Sequence, residues 1–431
     1  MTRTSGAKRV IRTYGALAVL AVSLTVVPNV ASGAQLITTQ TPAPYVVVLD
    51  DGIRAELVAG SHAASLGLEL SHVYSYALQG YSATMTPAVA SLIADLPGVA
   101  WVQPDRIVEI AGQKIPSGVR RIGATGSATA AIDGRDSRVH VDVAVLDTGV
   151  DLTHPDLNVR GPGANCTLGG LLPPELGEAW PDADDAHGHG THVAGTIGAL
   201  DNRRGVVGVA PGARIWPVKV LLDGGTGMDS MLLCGIDYVT QHADKVDIAN
   251  LSLVREGSDD GRCGESNADA LHKAICGSVR AGVAYVVAAG NKHMATSGFV
   301  PAAYDEVVTV SALADFDGRR GELSEPNCAY ADAEKDDSFA DISNFGVDVD
   351  VIAPGVCIRS TSLDGGYATQ SGTSMASAHI SGAAALYQAT HPGAGPSKIK
   401  AALSRSGVRD WRWPSQDKDQ TQETRPHVAS F

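Results

Sequence analysis

From Ser137 onward, aliphatic strand-like runs alternate with helix-like segments, and this alternation limits the possible folds more than any other feature of the chain. Such runs, bounded by turn signals, are typical of strands that are buried on both faces. The predicted strands are 140–146, 214–220, 246–253, 283–289 and 306–310, and the predicted helices are 189–199, 230–242, 267–281, 374–390 and 397–404. We therefore predict an α/β fold with a mostly parallel central sheet flanked by helices.

Four polar side chains lie at the junctions between these elements. Asp147 ends the first strand, Asn291 follows the fourth, and His189 and Ser374 begin helices. A serine hydroxyl becomes an effective nucleophile when an imidazole accepts its proton and a carboxylate orients that imidazole. We predict Ser374 as the nucleophile, His189 as the general base and then acid, and Asp147 as the orienting group. Asn291, together with the Ser374 backbone N–H, would stabilise the oxyanion.

Each of these residues also has a structural interpretation when it is taken alone. Asp147 would most often cap a helix or lie in a turn, and Asn291 would most often lie in a turn. His189 and His192, with His187, are spaced as metal ligands on a helix, but no glutamate follows His189 as it does in the zinc-protease motif. The occurrence of all four segments in one order favours the catalytic interpretation.

The segments that carry these residues resemble those of the subtilisin-like serine proteases over roughly residues 121–404. The shared motifs are Asp147-Thr148-Gly149, His154-Pro155-Asp156-Leu157, 189–196, 208–211, Ala289-Gly290-Asn291, Ala353-Pro354-Gly355 and Gly372-Thr373-Ser374-Met375-Ala376. The resemblance implies a subtilisin-like fold and a serine endopeptidase that hydrolyses extracellular proteins through an acyl-enzyme, without a catalytic cofactor. A silent peptide-binding protein on the same scaffold is the competing hypothesis, and the complete set of four residues argues against it.

The same resemblance implies further site residues. Those expected to contact the substrate are Gly225, Thr226, Gly227, Ser252, Leu253, Val254, Ala288 and Gly290. Those expected to bind a structural Ca²⁺ through oxygen atoms are Asp156, Leu200, Asn202, Arg204 and Val206. The guanidinium groups of Arg203 and Arg204 would oppose a cation. Asp182, Asp184 and Asp185 are interpreted as an exposed acidic loop.

The chain departs from the family pattern at the wall of the specificity pocket. Val254 and Arg255 stand where the family usually has two glycines. A β-branched side chain there would narrow or reshape the pocket. A processing protease with strict specificity is therefore an alternative to a broad-specificity enzyme.

Two segments precede the predicted peptidase domain. Residues 1–34 have a basic start, a short apolar stretch and small residues, which are typical of a secretory signal peptide. Residues 35–114 then form a linker and a β-α-β-β-α-β pattern, which indicates a ferredoxin-like prodomain. It is similar to the inhibitory propeptide of the family, which implies a zymogen whose propeptide is its own chaperone and inhibitor. An independent binding domain is the alternative. Processing is expected near Gln113 or Lys114.

Charge and cysteine content define the expected environment. The net charge of −14 argues against nucleic acid and anionic membranes as partners. Six cysteines follow the signal, and an even number in a secreted chain suggests three disulfides. Proximity along the chain suggests Cys263–Cys276 and Cys328–Cys357, which leaves Cys166–Cys234. We expect a secreted, extracellular monomer with a peptidase domain over 115–413 and a disordered polar tail over 414–431.

Overall fold

The computed structural model describes residues 42–105, 112–161, 163–167, 182–321, 324–326, 328, 334–412, 419 and 421–431. The predicted signal peptide and the segment 106–111 lie outside these residues. The chain divides into two compact units, 1–109 and 110–431. Among the helices in the described ranges, none is long and apolar enough to cross a membrane.

The first unit contains four strands and two helices. They are β1 (Ala43–Leu49), α1 (Ala55–Leu66), β2 (Glu69–Tyr74), β3 (Gly80–Met85), α2 (Pro87–Ala94) and β4 (Val99–Pro104). The strands form an antiparallel sheet in the order β2-β3-β1-β4. Val47, Tyr81 and Ile93 belong to its buried core. The predicted β-α-β-β-α-β order is confirmed.

The second unit contains the remaining elements. They are α3 (Ser117–Arg121), β5 (Asp142–Asp147), β6 (Ala164–Asn165), α4 (His189–Gly198), β7 (Arg214–Lys219), α5 (Asp229–Gln241), β8 (Ile248–Leu251), β9 (Arg255–Glu256), α6 (Ala270–Ala281), β10 (Ala284–Ala288), β11 (Phe299–Val300), β12 (Val308–Ala314), β13 (Ser338–Phe339), β14 (Val351–Pro354), β15 (Ile358–Ser362), β16 (Gly366–Gln370), α7 (Thr373–Thr390), α8 (Pro396–Arg405), β17 (Gly407–Val408) and β18 (Arg425–Pro426).

The central sheet of this unit is mostly parallel, as predicted. Its strand order is β13-β12-β10-β8-β5-β7-β6, and β14 also pairs with β12. All of these pairings are parallel except that of β12 with β13. Every residue of β5 and β10 is buried, because helices cover both faces of the sheet. The carboxyl ends of β5 and β10 therefore open on the same edge of the sheet.

Helix α7 is buried along almost its whole length. Its sequence is rich in alanine, serine and glycine, which let neighbouring backbones approach closely. It contacts α4 and the strands β8, β10 and β12. This packing fixes the amino-terminal end of α7, where Ser374 lies, against the carboxyl-terminal edge of the sheet.

The prediction of a disordered tail was wrong for residues 421–431. Arg425 is only 1% exposed, and its guanidinium donates to Asp410 Oδ2 (2.6 Å) and to the backbone carbonyl of Arg121 (2.5 Å). The side chain of Arg121 in turn pairs with Asp315 (2.5 Å) and with Asp337 (2.6 Å). Breaking one partner of a buried ion network leaves an uncompensated charge, so the segment is firmly held. The tail was predicted to be disordered because its sequence is polar, and polarity does not show that a charged side chain has a buried partner.

The three predicted disulfides are confirmed. Cys166 pairs with Cys234, Cys263 with Cys276, and Cys328 with Cys357.

Candidate active site

The first two site residues meet where β5 ends and α4 begins. The Nδ1–H of His189 donates to Asp147 Oδ1 (2.7 Å), and the same oxygen accepts the Thr148 backbone N–H (2.8 Å). The Asp147 side chain is fully buried, whereas that of His189 remains 22% exposed. Any side chain at Gly190 would collide with the carbonyl oxygen of Gly149, so glycine is required for α4 to approach β5 this closely.

Asp185 holds the start of α4 in place, a role that was not predicted for it. The acidic loop was predicted to be exposed, but Asp185 is buried. Its carboxylate accepts hydrogen bonds from Thr148 Oγ1, His187 N, Gly188 N, Thr191 N and Thr191 Oγ1, at 2.6–3.0 Å. A carboxylate at a helix amino terminus satisfies backbone donors that have no partner within the helix. The sequence signal for this role was the position of Asp185, four residues before the histidine that begins α4.

The surroundings of His189 favour its protonated form. Burial lowers the pKa of the ring, but the charge of Asp147, its hydrogen bond and the charge of Asp185 outweigh this effect. The pKa of His189 is therefore raised above its ordinary value of 6.5.

His192 faces away from this pair. Its Nε2–H donates to the backbone carbonyl of Ile358 (3.0 Å). Burial, with repulsion from His189, lowers its pKa to about 3. The two rings thus have different partners, so a shared metal site is not supported.

Ser374 lies in the first turn of α7. Its hydroxyl donates to the backbone carbonyl of Ser252 (3.3 Å). Ser374 and His189 line the same cavity, which has a volume of about 580 Å³. Among the described residues, no hydrogen bond joins the Ser374 hydroxyl to the His189 imidazole. Catalytic hydrogen bonds commonly tighten only when substrate is bound.

Asn291 lies beside Ser374 and is oriented by Thr373. The Asn291 Oδ1 accepts from the Thr373 backbone N–H (2.9 Å) and hydroxyl (2.8 Å). Since a backbone N–H can only donate, the atom that it meets must be the amide oxygen. This fixes the orientation of the amide and leaves Nδ2 as a donor at the cavity.

The predicted substrate residues line two adjoining cavities. Gly225, Thr226 and Gly227 line the larger one, and Ala288 and Gly290 line a smaller one of about 270 Å³. The residues common to both are Ser252, Leu253, Val254, Asn291 and Ser374. All eight predicted residues are therefore brought to the cleft.

The two departures from the family pattern have different consequences. Val254 Cγ2 lies 3.1 Å from the position that a Cβ on Gly290 would take, so the valine side chain fills space against the opposite wall of the smaller cavity. Arg255 does not project freely, because its guanidinium pairs with Asp229 (2.9 Å) and with Asp269 (2.8 Å).

The predicted calcium residues converge around one side chain that the prediction did not include. Gln113 Nε2 donates to the carbonyl oxygens of Leu200 (2.6 Å) and Val206 (3.1 Å). Asn202 Nδ2 donates to Asp156 Oδ1 (2.7 Å). Turning the Gln113 amide by half a rotation would present its oxygen instead of its nitrogen, and the Asp156 carboxylate and the carbonyl groups of Leu200 and Val206 already offer oxygen atoms. The donor set therefore fits an oxygen-coordinated cation.

One of the two guanidinium groups that were expected to oppose a cation, that of Arg203, is bonded to a backbone carbonyl outside the cluster. Burial raises the pKa of Asp156, although hydrogen bonds from Val206, Asn202 and Tyr367 oppose that rise. The Nε–H of Arg203 donates to the Gly134 carbonyl. Arg204 contributes its backbone N–H to Asn202 Oδ1 (2.9 Å).

Comparisons with known proteins agree with this geometry. A profile of the subtilase family (Peptidase_S8) matches residues 139–427, and a profile of the I9 peptidase inhibitors matches residues 44–111. The chain belongs to the subtilase family. It is therefore a serine endopeptidase that hydrolyses peptide bonds and carries an inhibitory propeptide, as the sequence predicted.

Several relatives resemble this subtilase. It is 36% identical to subtilisin NAT of Bacillus subtilis subsp. natto over 71% of this chain and 69% of that protein. It is 33% identical to an alkaline protease of Alkalihalobacillus alcalophilus over 78% of this chain and 76% of that protein. A crystal structure of a cold-adapted subtilisin-like serine proteinase superposes with a TM-score of 0.51 at 28% identity, covering 72% of this chain and 97% of that one.

The Asp147 carboxylate should set both the rate of this subtilase and its dependence on pH. Because the raised pKa of His189 depends on that charge, the acidic limb of kcat/KM should lie above pH 6.5. Asp147→Asn should lower kcat by about 10⁴ and move the limb to lower pH, since only the charge of Asp185 would then oppose the effect of burial. Asp237→Asn, on the exposed face of α5, is the control. A limb that stays in place in Asp147→Asn would contradict this account of the pKa.

Proposed function

We propose that this subtilase is secreted as a zymogen and acts through Ser374, His189, Asp147 and Asn291. The observation that carries the proposal is the His189–Asp147 hydrogen bond, at a cavity that Ser374 and Asn291 also line. This combines a general base, its orienting carboxylate, a hydroxyl and an amide donor around one space.

The proposed reaction begins when Ser374 Oγ attacks the scissile carbonyl carbon and its proton passes to His189 Nε2. The carbonyl oxygen becomes an oxyanion that accepts from Asn291 Nδ2 and the Ser374 backbone N–H. The carbon–nitrogen bond then breaks, and His189 gives its proton to the leaving amine. Water, deprotonated by His189, attacks the acyl-enzyme and releases the carboxyl product and the free serine.

We propose that substrates bind as extended chains between two stretches of backbone, 225–227 and 252–254. Main-chain pairing of this kind is largely independent of side chains and gives broad recognition. The smaller cavity is then the main source of selectivity. Because Val254 fills part of it against Gly290, small side chains are the expected preference next to the scissile bond.

The proposed processing bond lies before Gln113. Gln113 N donates to Arg203 O (3.1 Å), and Lys114 N donates to Gly205 O (2.7 Å). Both residues are therefore anchored in the unit that contains the active site, and cleavage after either one would remove part of this anchor.

We propose that residues 1–34 are a secretory signal peptide. The three disulfides support this proposal, because such bonds persist in oxidising compartments.

We also propose that Ca²⁺ binds through Asp156, Leu200, Asn202 and Val206, with Gln113 as an additional ligand. Arg204 would contribute its backbone carbonyl, as the family resemblance implies. The ion would stabilise the fold by joining the start of the peptidase unit to the 200–206 loop. It would take no part in the chemistry.

Replacing the nucleophile tests the central assignment. We expect wild-type protein to react with a fluorophosphonate at Ser374 and to release its propeptide. Ser374→Ala should abolish labelling and leave the propeptide attached when the variant is produced without any other protease. Gel fluorescence and amino-terminal sequencing are the measurements.

Ser397→Ala, at the exposed start of α8, should label and mature like the wild type. Mature wild-type protein that fails to label would favour a silent binding protein. A correctly trimmed amino terminus in Ser374→Ala would instead rule out self-processing.

Calcium should raise the melting temperature of Ser374→Ala, which cannot digest itself. A ligand that binds only the native state stabilises it by about 2.7 kcal/mol at 100 times its Kd. Adding Asp156→Asn should remove the effect of calcium, whereas Asp244→Asn on an exposed loop should preserve it. An unchanged melting temperature on addition of Ca²⁺, or an equal rise in the Asp156→Asn background, would eliminate this site.

A further inference from the structure

A second polar cluster lies behind the wall of the cleft, on the loop that follows β9. Asp259 and Asp260 of this loop face His272 of α6, and Glu306 approaches the same ring from its other side. The His272 side chain is fully buried. None of these four residues belongs to the catalytic or calcium-binding sets described above.

The hydrogen bonds of His272 determine which ring nitrogen is left without a partner. Nε2 lies 2.9 Å from Glu306 Oε2, and since a carboxylate accepts, Nε2 carries a proton. Nδ1 has no hydrogen-bond partner among the described residues. It lies 3.4 Å from Asp259 Oδ1 and 3.4 Å from Asp260 Oδ1. A buried ring nitrogen thus points at two carboxylate oxygens without bonding to either.

These separations suit ligands of a shared cation better than direct hydrogen bonds. N–H···O bonds are usually about 2.7–3.2 Å long. Ligands of tetrahedral zinc lie about 2.0–2.2 Å from the metal, which places neighbouring ligand atoms roughly 3.4 Å from one another. The ligand-capable atoms of Asp259, Asp260 and His272 all lie within 4.8 Å of one another.

The surrounding contacts hold these atoms in position without an ion. Asp260 accepts the backbone N–H groups of Arg262 (2.9 Å), Gly264 (2.9 Å) and Ser266 (2.7 Å). The Cys263–Cys276 disulfide ties the loop to α6, which carries His272. The imidazole stacks on the Tyr304 ring, with 3.9 Å between centroids and 3° between planes.

We propose that His272 Nδ1, Asp259 and Asp260 bind a divalent transition cation of the zinc type. A nitrogen ligand disfavours Ca²⁺ and Mg²⁺, which prefer oxygen alone. Glu306 holds the proton on Nε2 and so keeps Nδ1 available, an arrangement common around metal-bound histidines. The nearby cysteine sulfurs are joined in a disulfide, so they are not thiolate ligands. The Asp259 side chain is 19% exposed, which gives the ion and a bound water access from solvent.

The ion would stiffen the cleft wall. The loop continues directly from β9, where Arg255 pairs with Asp269 at the far end of the same loop. Arg255 itself lines the larger cavity. A cation on Asp259 and Asp260 would therefore anchor the segment between these two points to α6.

The test is zinc binding by the full chain carrying Ser374→Ala, in calcium-saturated buffer, so that neither catalysis nor the calcium loop contributes. We expect one tightly held equivalent of Zn²⁺ by isothermal titration and elemental analysis, and a rise in melting temperature when it binds. Asp259→Asn keeps an oxygen to accept the Gly261 N–H but removes the charged ligand. It should weaken binding at least about 10-fold.

Glu306→Gln provides a second test, because glutamine retains an acceptor for Nε2–H but not its charge. Binding should weaken by about 10–100-fold. Asp244→Asn, an exposed acidic residue outside the cluster, is the matched control and should bind like the parent. Absence of bound zinc in the parent, or equal affinity in Asp259→Asn, Glu306→Gln and the parent, would overturn the proposal. Because the nucleophile is absent throughout, that failure would leave the proposed protease mechanism unaffected.

Discussion

The buried carboxylate of Asp147 is the interaction on which the rest of the site depends. It lies at the end of a strand that is covered on both faces, so its charge is desolvated and stabilised by Thr148 and His189. The hydrogen bond from His189 leaves the other ring nitrogen to face the cavity. Asp185 fixes the helix that carries the histidine, and the buried helix α7 holds the serine. The buried contacts that stabilise this part of the fold therefore also hold the catalytic side chains in position.

The sequence predicted most of this arrangement because the signals were periodic or clustered. Apolar runs such as 140–146 identified the parallel strands, and the element order identified the prodomain. The residues expected at the cleft follow strand ends, and parallel topology brings strand ends to one edge of a sheet. Pairing cysteines by proximity along the chain succeeded because two of the loops they close are short.

The remaining features depend on contacts between segments that lie far apart in sequence. Gln113 reaches residues 200 and 206, and Arg425 reaches Asp410 and Arg121; no local pattern encodes either contact. Asp185 was misjudged because an acidic loop is usually exposed, whereas this carboxylate is surrounded by amino-terminal helix donors. The polar cluster at His272 was missed for a similar reason, since its acids lie on a loop and its imidazole lies in the first turn of the helix that follows this loop. The charge of a side chain therefore does not show whether that side chain is buried.

The most direct test of the assigned catalytic residues is a crystal structure of the mature protein bound to a peptide boronate, whose tetrahedral adduct imitates the reaction intermediate. We expect boron to be bonded to Ser374 Oγ. One boronate oxygen should lie about 2.7–3.1 Å from Asn291 Nδ2, and His189 Nε2 should lie within hydrogen-bonding distance of the adduct. Boron attached to another residue, or an adduct oxygen directed away from Asn291, would contradict this assignment.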